Sequence, residues 1–180
     1  MKTSLVVVKW KLENIFMTKK GLNTDNLHSD RADEPEHGVL HKPVHTSVAY
    51  GYDKAKHLAE VFQGKRQGYN YGRQLNPTVT ALQKRITKME AGLSSVGFST
   101  GMAAISSTML ALLKTGDHVI SSSFLFGNTN SFFETLKRLG IEVSFVDATQ
   151  AKFVEGAVRE NTKIVFTETI ANPVTQVADL

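Results

Sequence analysis

The chain has 180 residues, 41% of them hydrophobic and 21% charged, enough for a globular domain with its own core. Its net charge of +4, with a pI near 9.3, is mildly basic and spread along the chain, so nothing in the composition points to a nucleic-acid binder. The chain has no cysteine, which excludes disulfides, thiolate nucleophiles and cysteine-ligated zinc and fits a cytoplasmic protein.

The chain opens with MKTSLVVVKWKLENIFMTKK, whose longest apolar run is Leu5-Val6-Val7-Val8, cut off by Lys9. That is shorter than the about 7–15 residues of a secretory core. Nothing approaches the about 20 apolar residues of a membrane helix. Met17 is an alternative start, which would make residues 1–16 an upstream extension with no role in the fold. Residues 17–57 are polar, carry Pro35, Gly38 and Pro43, and read as an extended arm. His37, His41 and His45 would share one helix face at i, i+4 and i+8, but Gly38 and Pro43 interrupt that helix. A solvated arm is therefore expected there, not a metal site. A short helix is expected at 58–63 and a glycine-rich loop at 64–75.

The pattern changes at NPTVTALQKRITKMEA. Asn76 suits an N-cap and Pro77 the first helical turn. Val79, Leu82, Ile86 and Met89 then recur at helical spacing to about Ala91. Beyond it, strands are predicted at 95–99, 118–123, 142–147 and 163–169, with helices at 102–114, 128–140 and 151–159. Strands alternating with helices imply an α/β domain with a mainly parallel sheet. Ligands of such sheets bind at the carboxyl ends of the strands, here Ser99, Ser123 to Phe126, Asp147 and Glu168 to Asn172. The chain ends at NPVTQVADL, after a strand and a turn, and an incomplete chain is the expectation.

Residues 97–101, GFSTG, fit the G-x-S-x-G pattern of a hydrolase nucleophile elbow. A serine nucleophile needs a histidine base oriented by an acid. After Ser99 the chain offers only His118, beside Asp117. Adjacent strand residues point to opposite faces, so Asp117 is poorly placed to orient that imidazole. The same stretch runs from a strand through Gly101 into a helix, where free backbone N–H groups and the helix dipole favour an anion such as phosphate. The dinucleotide fingerprint and the P-loop pattern are both absent. In GYNYGRQLNPT, Tyr71 and Arg73 can bring a phenol and a guanidinium to one phosphate. Phe126, at a strand end, can stack on a flat ring or pack in the core. Asn172, before Pro173, can donate to a ligand oxygen or shape a turn.

In order, YGRQLNPT, STGMAAI, FLFGNT and ETIANP resemble the successive motifs of the Cys/Met-metabolism PLP-dependent enzymes. HKPVHTSVAYGY resembles that family's N-terminal segment, and the likeness spans about residues 20–180. The resemblance implies the large domain of the aspartate-aminotransferase type, with pyridoxal 5′-phosphate as cofactor. It implies that Gly101 and Met102 hold the cofactor phosphate through backbone amides, with Thr100 where serine is usual. It implies that Tyr71 and Arg73 reach the phosphate of a neighbouring subunit in a homodimer or homotetramer. Residues 17–75 would then be an arm and inter-subunit loop, and 76–180 the first part of the cofactor domain. Phe126 falls where an aromatic stacks on the pyridine ring, Asn172 near the phenolic oxygen, and Glu168 at the acidic position before it.

The resemblance also brings two departures. The stacking residue is commonly tyrosine; Phe126 cannot transfer a proton, which is more like the homoserine-ester sulfhydrylases than the lyases. The Schiff-base lysine is expected beyond residue 180, and Asp179 follows ETIANP too closely to be the aspartate of the pyridine nitrogen. The implied activity is γ-replacement on O-acetyl- or O-succinylhomoserine, with a cystathionine or methionine lyase as the alternative. A serine hydrolase using Ser99 and a non-catalytic remnant of the fold are the readings outside this class.

Overall fold

In a computed structural model, residues 5–8, 21–28 and 36–178 are described. They form two compact units, Leu5–Gly97 and a second that begins at Phe98.

In the first unit, strand β1 (Leu5–Val8) pairs antiparallel with β2 (Ser94–Gly97), with Leu5 opposite Gly97 and Val8 opposite Ser94. This differs from the sequence expectation twice over. A start at Met17 would leave Leu5–Val8 in an extension with no role in the fold, and the alternation of strands and helices predicts the strand at 95–99 in the parallel sheet. The β-branched run Val6-Val7-Val8 has high strand propensity and supplies β2 with a partner through the backbone ladder. Helix α1 (Leu22–His28) and a 3-10 turn at Glu36–Gly38 lie in the arm, and residues 39–54 hold no helix before α2 (Ala55–Phe62). The histidine run at 37–45 is not a helix, and the described residues hold no cluster of three metal-ligating side chains.

Helix α3 (Pro77–Met89) starts as its sequence demands. Asn76 Oδ1 accepts from the N–H groups of Thr78 (2.9 Å) and Val79 (3.4 Å), and Pro77 occupies the turn where no N–H is needed. The Asn76 amide donates in turn to the His45 carbonyl at 3.1 Å, and the His45 N–H donates to Thr78 Oγ1 at 2.8 Å. One residue thus caps the helix and ties the arm to it. At the other end, Thr87 Oγ1 donates to the Gln83 carbonyl at 2.8 Å and accepts from Ser95 Oγ at 2.8 Å, fixing α3 against β2.

The second unit contains a three-stranded parallel sheet in the order β4-β3-β5: β3 (His118–Ser122), β4 (Glu142–Val146) and β5 (Thr162–Phe166). Every residue of β3 is buried, as its central place requires. Helices α4 (Gly101–Leu112), α5 (Gly127–Arg138) and α6 (Ala151–Gly156) complete the unit. Its core joins Met109 and Leu113 to Val119, Phe133, Leu136 and Ile141. Phe133 is wholly buried and meets the rings of Phe145 at 6.3 Å and Phe166 at 5.2 Å. Edge-to-face and tilted contacts of this kind add to the burial of their area. The α/β class and the parallel sheet expected from the sequence are present, and element ends fall within a few residues of their predicted places.

Candidate cofactor site

The phosphate cradle is expected at the first turn of α4. Thr100 has extended backbone, and its Oγ1 accepts the Ala103 N–H at 3.1 Å, so its hydroxyl oxygen caps the helix. The Ala104 N–H already serves the Thr100 carbonyl at 3.1 Å. The N–H groups of Gly101 and Met102 precede any intrahelical partner and meet no acceptor among the described residues. Two unpaired donors at the positive end of a 12-residue helix suit a phosphate ester.

Helix α5 begins beside this turn. Thr129, buried in its first turn, places Oγ1 3.9 Å from Met102 Sδ. Phe126, the N-cap residue of α5, is 45% exposed, which leaves its ring available for stacking instead of placing it in the core. Glu168 follows β5, the neighbour of β3 in the sheet. Its Oε1 accepts the Phe126 N–H at 3.1 Å and lies 3.4 Å from Thr129 Oγ1. The loop after β5 folds back on itself: Ala171 N–H donates to Gln176 O, Thr175 N–H to Ala171 O, and Ala178 N–H to Thr169 O. Asn172 is exposed on this loop. At the end of β4, Thr149 donates through both hydroxyl and N–H to Asp147 Oδ1, and these bonds, the hydroxyl first, hold the Asp147 carboxyl below its usual range.

Tyr71 and Arg73 lie in the first unit. The Arg73 guanidinium sits 5.2 Å from the centroid of the Tyr71 ring, within cation–π range. The segment around Ala49 pairs antiparallel with Tyr71, and Gly72 N–H donates to the Val48 carbonyl at 2.6 Å. Tyr71 and Arg73 line an open cleft of about 460 Å³ with His45, Asn76 and Thr78. The structure therefore pairs Tyr71 with Arg73 in the first unit and, in the second, links Met102, Phe126 and Glu168 through Thr129, with Thr100 and Gly101 in the same turn as Met102, while Asn172 lies on the loop after β5 with no hydrogen bond to them among the described residues. Asp179 lies outside the described residues.

The hydrolase reading of Ser99 loses its base. His118 lies at the amino end of β3, with Nδ1 2.8 Å from Thr162 Oγ1 and Nε2 2.9 Å from Ser144 Oγ. Both ring nitrogens are engaged, and the four residue steps from His118 to Ser122, about 13 Å at ~3.3 Å each, separate its backbone from the carboxyl end of β3. Asp117 meanwhile accepts the Lys114 N–H and makes no bond to the imidazole.

Sequence reasoning missed Thr129. Its place two residues into a helix that opens on a phenylalanine was a usable signal, because such a helix lacks a cap of its own.

Comparison with known proteins gives the family. The chain matches the Cys/Met metabolism PLP-dependent enzyme family over residues 23–180. It belongs to that family. It is 37% identical over 172 residues to O-acetyl-L-homoserine sulfhydrylase of Corynebacterium glutamicum, covering 94% of this chain and 39% of the relative. It is equally, 37%, identical over 165 residues to L-methionine gamma-lyase of Fusobacterium nucleatum subsp. nucleatum, covering 91% of this chain and 42% of the relative. The crystal structure of a putative O-acetylhomoserine (thiol)-lyase from Campylobacter jejuni, containing N′-pyridoxyl-lysine-5′-monophosphate, superposes with a TM-score of 0.80 at 28% identity, over 89% of this chain and 40% of that one. The chain thus spans about two fifths of the length of these relatives. Among the described residues, no helix is long and apolar enough to cross a membrane.

The donor set of this family member fits the family's cofactor, since two unpaired amides and an exposed aromatic face answer a phosphate and a flat ring. When bound, pyridoxal phosphate supplies an electron sink for chemistry at an amino-acid carbon.

Proposed function

We propose that this chain forms the cofactor-holding part of a sulfur amino-acid enzyme that performs γ-replacement on an O-acyl homoserine. The observation that carries the reading is the first turn of α4, where the N–H groups of Gly101 and Met102 stand unpaired beside the first turn of α5. These amides hold the phosphate, Phe126 covers one face of the ring, and Asn172 donates to the phenolic oxygen. Tyr71 and Arg73 bring a phenol and a cation to the phosphate of a second subunit, which makes the working unit at least a dimer. Residues 17–75 act as the arm and 76–180 as the first part of the cofactor domain. Phe126 has no hydroxyl, so proton transfer falls to a lysine that these residues do not supply; this favours γ-replacement over a lyase that uses a tyrosine.

The chain's own amides can be tested without that lysine, using pyridoxamine 5′-phosphate, which forms no Schiff base. Gly101→Pro removes one N–H at a position where proline suits the helix and the extended Thr100 suits the residue before it. Gly101→Ala adds bulk but keeps the donor. Losing a charge-assisted hydrogen bond should weaken binding about tenfold in the proline variant and much less in the alanine variant. Equal affinities in wild type and Gly101→Pro, by fluorescence titration, would sink the reading.

A further inference from the structure

Helix α5 opens on a residue that cannot cap it. Phe126 has no side-chain acceptor, and the first turn contains no acidic residue. Serine, threonine, asparagine or aspartate is the usual choice at this position, because an oxygen there satisfies the exposed N–H groups. Here the acceptor comes from 42 residues further along the chain: Glu168 Oε1 takes the Phe126 N–H at 3.1 Å. A carboxylate is also the charge that the positive end of α5 favours.

Thr129 stands next to the same oxygen, 1% exposed, with Oγ1 3.4 Å from Glu168 Oε1 and 3.9 Å from Met102 Sδ. Its hydroxyl has one proton for these two acceptors, and the carboxylate is the stronger. The bond to glutamate is long, so the Phe126 bond carries the larger share. The chain of contacts Met102–Thr129–Glu168–Phe126 nevertheless joins the starts of α4 and α5 to the end of β5. Phe126 itself is exposed, so core packing does not fix its ring; its backbone must be fixed from elsewhere.

We infer that Glu168 and Thr129 are positioning residues that set the plane of the Phe126 ring over the cofactor, and that Glu168 acts through Phe126, not by touching the cofactor. The inference rests on the cofactor reading above. It assigns the acidic residue of ETIANP a task that its place in the motif does not suggest.

The test uses the full chain with two probes, pyridoxamine 5′-phosphate for ring and phosphate together and inorganic phosphate for the cradle alone. Glu168→Ala should raise hydrogen–deuterium exchange at the Phe126 amide about tenfold or more. It should weaken pyridoxamine phosphate about tenfold and leave phosphate affinity within about twofold, a split that a general loss of structure would not produce. Glu168→Gln keeps an acceptor oxygen and should restore most of both effects, while Thr129→Val should raise the exchange by a smaller factor. In a Phe126→Ala background, Glu168→Ala should cost no further pyridoxamine phosphate affinity.

Additive losses in that background, unchanged amide exchange, or a parallel fall in phosphate affinity would each overturn the inference. If Glu168→Ala does not fold, Thr129→Val decides through the same exchange readout, and wild-type exchange at Phe126 in that variant overturns it. Failure of the wild-type chain to bind either probe would refute the cofactor reading instead, and the exchange data would still judge the clamp.

Discussion

His118 is fully buried at the start of β3, and its surroundings decide which charge it carries. Its ring nitrogens face the hydroxyls of Thr162 and Ser144. Arg159 donates to both of those oxygens, from its N–H to Thr162 at 2.7 Å and from Nη2 to Ser144 at 3.1 Å, and pairs with Glu142 at 2.6 Å. Burial first, and the Arg159 cation second, lower the imidazole pKa, against an opposing pull from Glu142. The folded value therefore lies below the unfolded one, near 6.5. The contribution of His118 to stability is complete above about pH 6.5 and is lost as pH falls from there through the folded value, because the unfolded chain binds the proton first. Denaturant melts at stepped pH should show this slope, and His118→Gln should flatten it. The variant should also cost about 1–3 kcal/mol at neutral pH by leaving the half-buried hydroxyls of Thr162 and Ser144 poorly paired. An unchanged slope would assign the acid sensitivity to other groups.

At the scale of single elements, caps and turns set the boundaries. Asn76→Ala should cost about 1 kcal/mol or more in thermal or urea melts, because it removes both the cap of α3 and the anchor of His45. Asn76→Asp keeps the acceptor but not the donor, and should recover only the capping share. Between α5 and β4 the chain turns at Gly140, with φ of +77°. A Cβ there would meet Thr115 Cγ2 at 2.7 Å, and the Thr115 hydroxyl is held by the Leu139 carbonyl at 3.0 Å. Gly140→Ala should therefore destabilise by about 1–2 kcal/mol, part from the left-handed backbone and part from the clash. Adding Thr115→Ser removes the methyl and should return the steric share alone; recovery of nothing would place the whole cost in the backbone. These boundaries were legible because their signals are local: Asn76-Pro77 opens α3 and Gly140 closes α5. The cap of α5 was not legible, since Phe126 offers no local signal and its partner lies in another strand's loop. The pairing of β2 was hidden for the same reason, because β1 lies some 90 residues earlier and a four-residue apolar run names no partner.

At the scale of the whole molecule, the ordered motifs made the family legible before any coordinates did, since each marks a turn at a strand end or a helix start. Strand order was not: it depends on how β4 and β5 flank β3, and parallel neighbours leave no trace in local periodicity. The proposed dimer can be tested by complementation. Arg73→Ala damages the group that serves the neighbouring phosphate, and Gly101→Pro damages the cradle in its own subunit. Each homodimer then carries two impaired sites. In a dimer of one variant with the other, the cradle of the Arg73→Ala subunit meets the intact Arg73 of its partner, so one site is whole and the other carries both defects. Random exchange makes about half of all dimers mixed, so about one quarter of the sites should bind pyridoxamine 5′-phosphate with wild-type affinity. A titration of the exchanged mixture would show that fraction as a separate tight phase. If Arg73 instead served the cradle of its own chain, mixing would restore nothing, and the binding curve would be the sum of the two variants measured apart.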